Sequence, residues 1–254
     1  MKKLQRMTLA LILILVLIPV IATHLAVAFE TSAPNLNTAS AWAQEEIQEA
    51  YNKGFIPIDL QDNYTSVITR EEFCRLAINW MECEMVKSID EIVNERGITD
   101  RMGHTFSDTT DPIILAAYRL GVTNGTRTPT ATTPGVFNPS GLFDRQQAAT
   151  MLMNVCRALG ANVDNPPLSD YADMNDAAIW ALDGINFVRA NGIMTGTRSE
   201  PPTFTPLSNF TRQESIITFG RIEQNEMVFN PANGYDYVDG DDFYDRPPVN
   251  EDYL

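Results

Sequence analysis

Three short stretches carry one pattern: Ile68-Thr-Arg-Glu-Glu-Phe73, Phe143-Asp-Arg-Gln-Gln-Ala148 and Phe210-Thr-Arg-Gln-Glu-Ser215. Each has an apolar residue, a side chain able to cap a helix, an arginine, and an acid or amide at the third helical place. A pattern written three times predicts tandem copies of one structural unit, which restricts the fold more than any single motif does. Other blocks recur in the same order. Gly121-Val-Thr-Asn-Gly125-Thr-Arg127 returns as Gly192-Ile-Met-Thr-Gly196-Thr-Arg198, and Phe137-Asn-Pro139 returns as Phe204-Thr-Pro206. Copy two carries extra residues in the Thr/Pro-rich stretch 128–135, where a loop tolerates insertion. Trp42-Ala43 stands before Gly54 at the spacing at which Trp180-Ala181 stands before Gly192, with Thr109 at that place in copy two. The units span about 36–86, 104–160 and 166–224.

Within each unit the periodicity predicts helix, loop, helix. The first helices present Trp42, Ile47, Ala50 and Tyr51; Ile114, Ala117 and Tyr118; and Trp180, Ile185 and Val188. They stop at Gly54, Gly121 and Gly192, residues that accept the left-handed conformation after a helix end. The second helices present Phe73, Leu76, Ala77 and Trp80; Ala148, Met151, Leu152 and Val155; and Thr218, Phe219 and Ile222. One apolar stripe per helix cannot close a core inside a single unit, so the three units must share one. The expected class is mainly α. Between units one and two, residues 87–103 form a connector with a short helix, begun by the capping box Ser88-x-x-Glu91 and stopped at Gly97.

Thr69-x-x-Glu72, Asp144-x-x-Gln147 and Thr211-x-x-Glu214 are capping boxes, which accounts for their first and fourth letters. It does not account for Arg70, Arg145 and Arg212, since a cation in the first turn opposes the helix dipole by some tenths of a kcal/mol. Two explanations stand. Each guanidinium pairs with an acid of a neighbouring unit, or each grips a carboxylate or phosphate beside free helix-end amides. The second is the expectation carried forward, because three surface ion pairs would add little stability.

The ends of the chain have other characters. Lys2, Lys3 and Arg6 precede an apolar run from Met7 to Ala22, and Ala26-Val27-Ala28 fits a signal-peptide cleavage site, so 1–28 is expected to be an export signal; an uncleaved anchor is the alternative. The formal charge is -15, and the charged residues that cleavage would remove, Lys2, Lys3 and Arg6, are all basic. Such a surface repels nucleic acid. Residues 229–254 are acidic and without helical period, and are read as a disordered tail that can meet a protein partner. Its Asp cluster lacks a carboxylate at the first place of a calcium loop, which Tyr235 occupies. Cys74, Cys83 and Cys156 are an odd set and are expected as three buried free thiols. Cys74 and Cys83 lie about 13 Å apart on one helix, too far to bridge.

The stretches AWAQEEIQEAYNKGF…ITREEF, FSDTTDPIILAAYRLGVTNG…VFNPSGLFDRQQAATML and LSDYADMNDAAIWALDGINFVRANGIMTG…FTPLSNFTRQES together resemble three tandem S-layer homology repeats, whose pattern runs Phe-x-Asp, Trp-Ala, Gly-Ile-x-x-Gly, Phe-x-Pro, Thr-Arg-Ala-Glu. The resemblance covers nearly all of 36–224. It implies a pseudo-threefold arrangement of the repeats around a shared helical core, with ligand grooves between neighbours. It implies non-catalytic anchoring to the bacterial cell wall or S-layer by binding a secondary cell-wall polysaccharide bearing pyruvate ketals. The matching site residues are Arg70, Arg145 and Arg212, Trp42 and Trp180, Asp108 and Asp170 as the early Asp, and Gly125 and Gly196 as the second Gly. Each Trp stacks on a sugar or packs in the core, and each Asp binds or fixes a loop. Copy one lacks the early Phe-x-Asp and the second Gly, and copy two lacks the Trp and has Asp144 in place of Thr. The groove using Arg212 is the preferred one.

The sequence carries no recognised catalytic signature. There is no Gly-x-Ser-x-Gly, Cys-x-x-Cys, phosphate-binding glycine loop or zinc helix, and the chain has only 2 histidines. No cofactor, metal or membrane contact after signal cleavage is expected. Alternatives to the anchor are a scaffolding protein that binds a partner and, further off, a wall-acting hydrolase built on two carboxylates.

Overall fold

The computed structural model describes residues 33–95 and 106–223. The expected signal segment, the acidic tail and the Gly97 stop lie outside these residues. The described chain is mainly helical, with α1 at Gln44–Lys53, α2 at Arg70–Met85, α3 at Ile89–Glu95, α4 at Pro112–Arg119, α5 at Arg145–Ala158, α6 at Leu182–Ala190 and α7 at Arg212–Glu223. A two-residue hairpin, β1 at Arg198–Ser199 and β2 at Pro202–Thr203, sits in the loop of copy three. Among the described residues no helix is long and apolar enough to cross a membrane.

The local signals act as their chemistry requires. Gly54 ends α1 at φ 86, and Gly121 and Gly192 follow α4 and α6 at φ 71 and 65. The Thr69 and Asp144 boxes are complete in both directions. In the third, the Thr211 amide donates to Glu214 at 2.8 Å and the Glu214 amide to Thr211 Oγ1 at 3.4 Å. Ser88 and Glu91 make the same exchange before α3.

Packing does not follow the sequence copies. Each second helix rests on the first helix of the next copy: α2 on α4, α5 on α6, and α7 back on α1. The chain therefore closes a ring in which a stripe that its own copy leaves unpaired finds a partner in the neighbour. A triangle of backbone bonds holds the centre, where the Ile68 amide donates to Phe210, Phe210 to Phe143, and Phe143 to Ile68, at 2.9, 2.9 and 3.1 Å. All three side chains point into the core. Below them Phe73 lies against both Phe143 and Phe219, and Phe219 against Trp80, with centroids 4.9 to 5.5 Å apart. These aromatic contacts come from all three copies.

The cysteines correct one expectation. None is in a disulfide; Cys74 and Cys156 are buried, but Cys83 is exposed near the end of α2. Its position on the helix turns it away from the stripe that carries Cys74. Burial pushes the Cys74 thiol up to about 12 and raises Cys156 as well.

Candidate functional site

Where α2, α5 and α7 begin, each helix points its first amides at the next copy. The Arg70 and Glu71 amides donate to the carbonyls of Gly141 and Pro139, Arg145 and Gln146 to those of Ser208 and Pro206, and Arg212 and Gln213 to those of Ser66 and Tyr64, all at 2.9 to 3.0 Å. The third amide of each helix is taken by the capping side chain. The helix ends expected to offer free donors to an anion are thus filled by the loops of the neighbour.

The arginines follow the same rule. Arg145 is 6% exposed and donates from Nε to the Phe204 carbonyl, from Nη2 to the Thr195 carbonyl, and from Nη1 to Glu214 at 3.1 Å, all groups of copy three. Its guanidinium also lies over the Phe204 ring at 4.9 Å. Burial lowers its pKa while Glu214 pulls it back up. Arg212 reaches into copy one, pairing through Nη2 with Glu72 at 2.5 Å and through Nη1 with the Asp62 carbonyl at 3.1 Å. Arg70 is equally buried and stacks over Phe143 of copy two at 5.2 Å. Neighbour pairing, the first of the two explanations, accounts for the recurring arginine: two are locked against carboxylates of the next copy, and in this sheltered setting loss of either partner leaves a poorly solvated charge uncompensated.

Copy two moves its acid. Where the other boxes have Thr and Glu, it has Asp144 and Gln147, so the seam between copies one and two meets Arg70 with a carboxylate at the cap rather than at the third helical position. Burial raises the Asp144 pKa, opposed by the Gln147 amide, the Gln146 side chain and the Arg70 charge. Arg75 reinforces this seam from the surface, pairing with Glu71, with Asp59 at 3.1 Å and with Asp111 at 3.5 Å.

The aspartates and glycines belong to loop closure. Asp108 accepts from the amides of Phe137 and Asn138 at 2.9 and 2.7 Å. Its counterpart in copy three is Asp173, which accepts from Phe204 and Thr205 at 2.8 and 2.7 Å. Asp170, the residue expected there, instead pairs with Arg189 on the surface at 3.2 Å. The expected alignment was three residues early, since Phe106 matches Tyr171 rather than the 88% exposed Leu168. Phe106 stacks on Phe137 and Tyr171 on Phe204. The glycines make room for those rings: a Cβ on Gly125 would lie 2.6 Å from Phe106, and one on Gly196 2.8 Å from Tyr171.

The tryptophans part company. Trp180 is half-buried against the core, whereas Trp42 is 59% exposed. Trp42 stands two residues after Ser40, whose amide donates to Gln213 Oε1 at 2.9 Å while Gln213 Nε2 donates to Ser40 Oγ at 3.1 Å. Trp42 and Arg212 therefore flank the same seam, the one joining copy three to copy one. At the seam of copies two and three Gln146 makes the matching bond to the Ala178 amide, two residues before Trp180. The carbonyls that close the seams include those of Pro139 and Pro206 in the recurring Phe-x-Pro, and Gln146 and Gln213 stand inside the recurring capping stretches, but sequence reasoning gave neither set this role.

No family profile matches the chain. It is similar to the Surface-layer 125 kDa protein of Lysinibacillus sphaericus, with 24% identity over 209 residues. That alignment covers 81% of this chain and 16% of the surface-layer protein, so the chain spans only a small part of its relative's length.

Proposed function

We propose that this chain is a cell-surface protein that attaches, without catalysis, to an anionic cell-wall polysaccharide at the seam between copies three and one. The observation that carries the reading is the exposed Trp42 beside the Ser40–Gln213 exchange at the head of α7. An exposed indole is an apolar platform with one donor, suited to the face of a sugar ring. Arg212 supplies the charge. Three of the five N–H groups a guanidinium carries are directed at Glu72 and Asp62. Two remain for a ligand carboxylate such as a pyruvate ketal, on a side chain that is 17% exposed. Arg145 and Arg70 are sealed more deeply and act as inter-copy locks. The likeness to a surface-layer protein supports the surface location.

The reading is tested by sedimentation of the purified protein with native wall polymer and with polymer freed of its ketals. Binding is expected to native polymer and to fall with the ketals removed. Trp42→Ala should weaken it about 5- to 30-fold, the value of one to two kcal/mol. Equal sedimentation of wild type and Trp42→Ala on both polymers contradicts it.

A further inference from the structure

Of the three seams, the one between copies three and one joins the two ends of the described chain, and its contacts are of a kind that two molecules can make with each other. The polar contacts tying residues 34–67 to the rest of the ring run to α7 and its approach. The Arg212 and Gln213 amides donate to Ser66 and Tyr64, Gln213 exchanges hydrogen bonds with Ser40, and Arg221 pairs with Glu46 at 3.5 Å. The exposed Asp59–Arg75 pair runs instead to α2. Helix α1 likewise packs on α7. Residues 34–67 then join α2 through Ile68 and Thr69, so an exchange of the block opens the Ile68–Phe210–Phe143 triangle and re-forms it with the partner molecule.

The face that α7 offers this block is of the same kind as the face α2 offers copy two and α5 offers copy three. It is a head-to-tail interface, closed into a ring here, that a second copy satisfies without a new contact. The helix pair at this seam is also less tightly filled. Where α2 has Ile78 and α5 has Met153, both buried, α7 has Gly220, which leaves a small open pocket floored by Ala50, Phe55 and Ile217. In contrast, Gly184 of α6 is pressed so close to α5 that a Cβ would come within 2.7 Å of the Thr150 Cα. We propose that residues 34–67 are an exchangeable arm and that its partner is a second copy of this chain. Reciprocal exchange gives a dimer of two complete rings, each closed by the other molecule's arm. The proposal is independent of the polysaccharide reading.

The test uses two full-length chains, one carrying Glu46→Cys and the other Arg221→Cys, both with Cys83→Ser to remove the exposed thiol. They are mixed over a range of concentrations and treated with a bis-maleimide that spans the 46–221 pair. Cross-linked heterodimer joined at positions 46 and 221 is expected, its ratio to monomer rising with chain concentration, in proportion to free monomer, as mass action requires. A single chain carrying both substitutions serves as the control. It should cross-link within itself, and once linked should no longer form dimers. If that control links fully while the mixed chains give no 46–221 product at any concentration, or give dimers joined elsewhere, the exchange is overturned.

Discussion

At the scale of single residues, Arg145 is the side chain on which the ring leans most. It ties two carbonyls and a carboxylate of copy three from a site 6% exposed. Arg145→Ala should cost about 3–5 kcal/mol, since Glu214 and two carbonyls lose their partner together; urea unfolding measures it. The aspartates give a sharper contrast. Asp173→Ala strands two backbone amides and should cost about 1–3 kcal/mol, while Asp170→Ala removes a surface pair worth under about 1 kcal/mol. Equal losses would restore the earlier alignment. That alignment shows why sequence reasoning missed: Leu168-Ser-Asp170 copies the letters of Phe106-Ser-Asp108 more closely than Tyr171-Ala-Asp173 does, but only an aromatic ring fills the space beside the second glycine. Two further glycines separate in sign. Gly220→Ala meets nothing within 4 Å and should stabilise by about 0.5–1 kcal/mol. Gly184→Ala collides with the α5 backbone and should destabilise by about 1–3 kcal/mol.

At the scale of elements, the helices and their ends were legible because capping, periodicity and terminal glycines act within a few residues of one another. What the arginines pair with was not, because Arg145 and Glu214, or Arg212 and Glu72, meet only through the ring. The cap of α5 carries a pH signature of that setting. Asp144 has its folded pKa raised by burial, above its unfolded value. The folded state therefore binds that proton more tightly. The contribution is fully present below the unfolded pKa and is lost as pH rises through the folded one. Asp144→Asn keeps a capping side chain and should remove this downward step from a plot of stability against pH in the acid range. An unchanged profile would mean the carboxyl titrates alike in both states.

On the scale of the whole molecule, three copies that cannot close their own cores should unfold together. The Arg145 and Gly184 substitutions lie at one seam, so each should move a single transition rather than split it, with heat or urea followed by far-UV and tryptophan signals. The recurring blocks predict three units sharing one core, and the resemblance implies their pseudo-threefold arrangement, but the helix pairing, each copy leaning on the next, depends on contacts too distant in sequence for periodicity to report. The acidic surface also bears on binding: with a formal charge of -15, association with an anionic polymer should speed up as salt rises from low to physiological strength, because long-range repulsion is screened over about 10 Å. The proposed attachment site is tested most directly by the emission of Trp42. Of the 3 tryptophans, Trp80 is fully buried, so in a Trp180→Phe background any change on adding wall polymer reports Trp42. A blue shift and loss of acrylamide quenching that saturate with binding are predicted; polymer that binds the protein while Trp42 stays as quenchable as before contradicts the account.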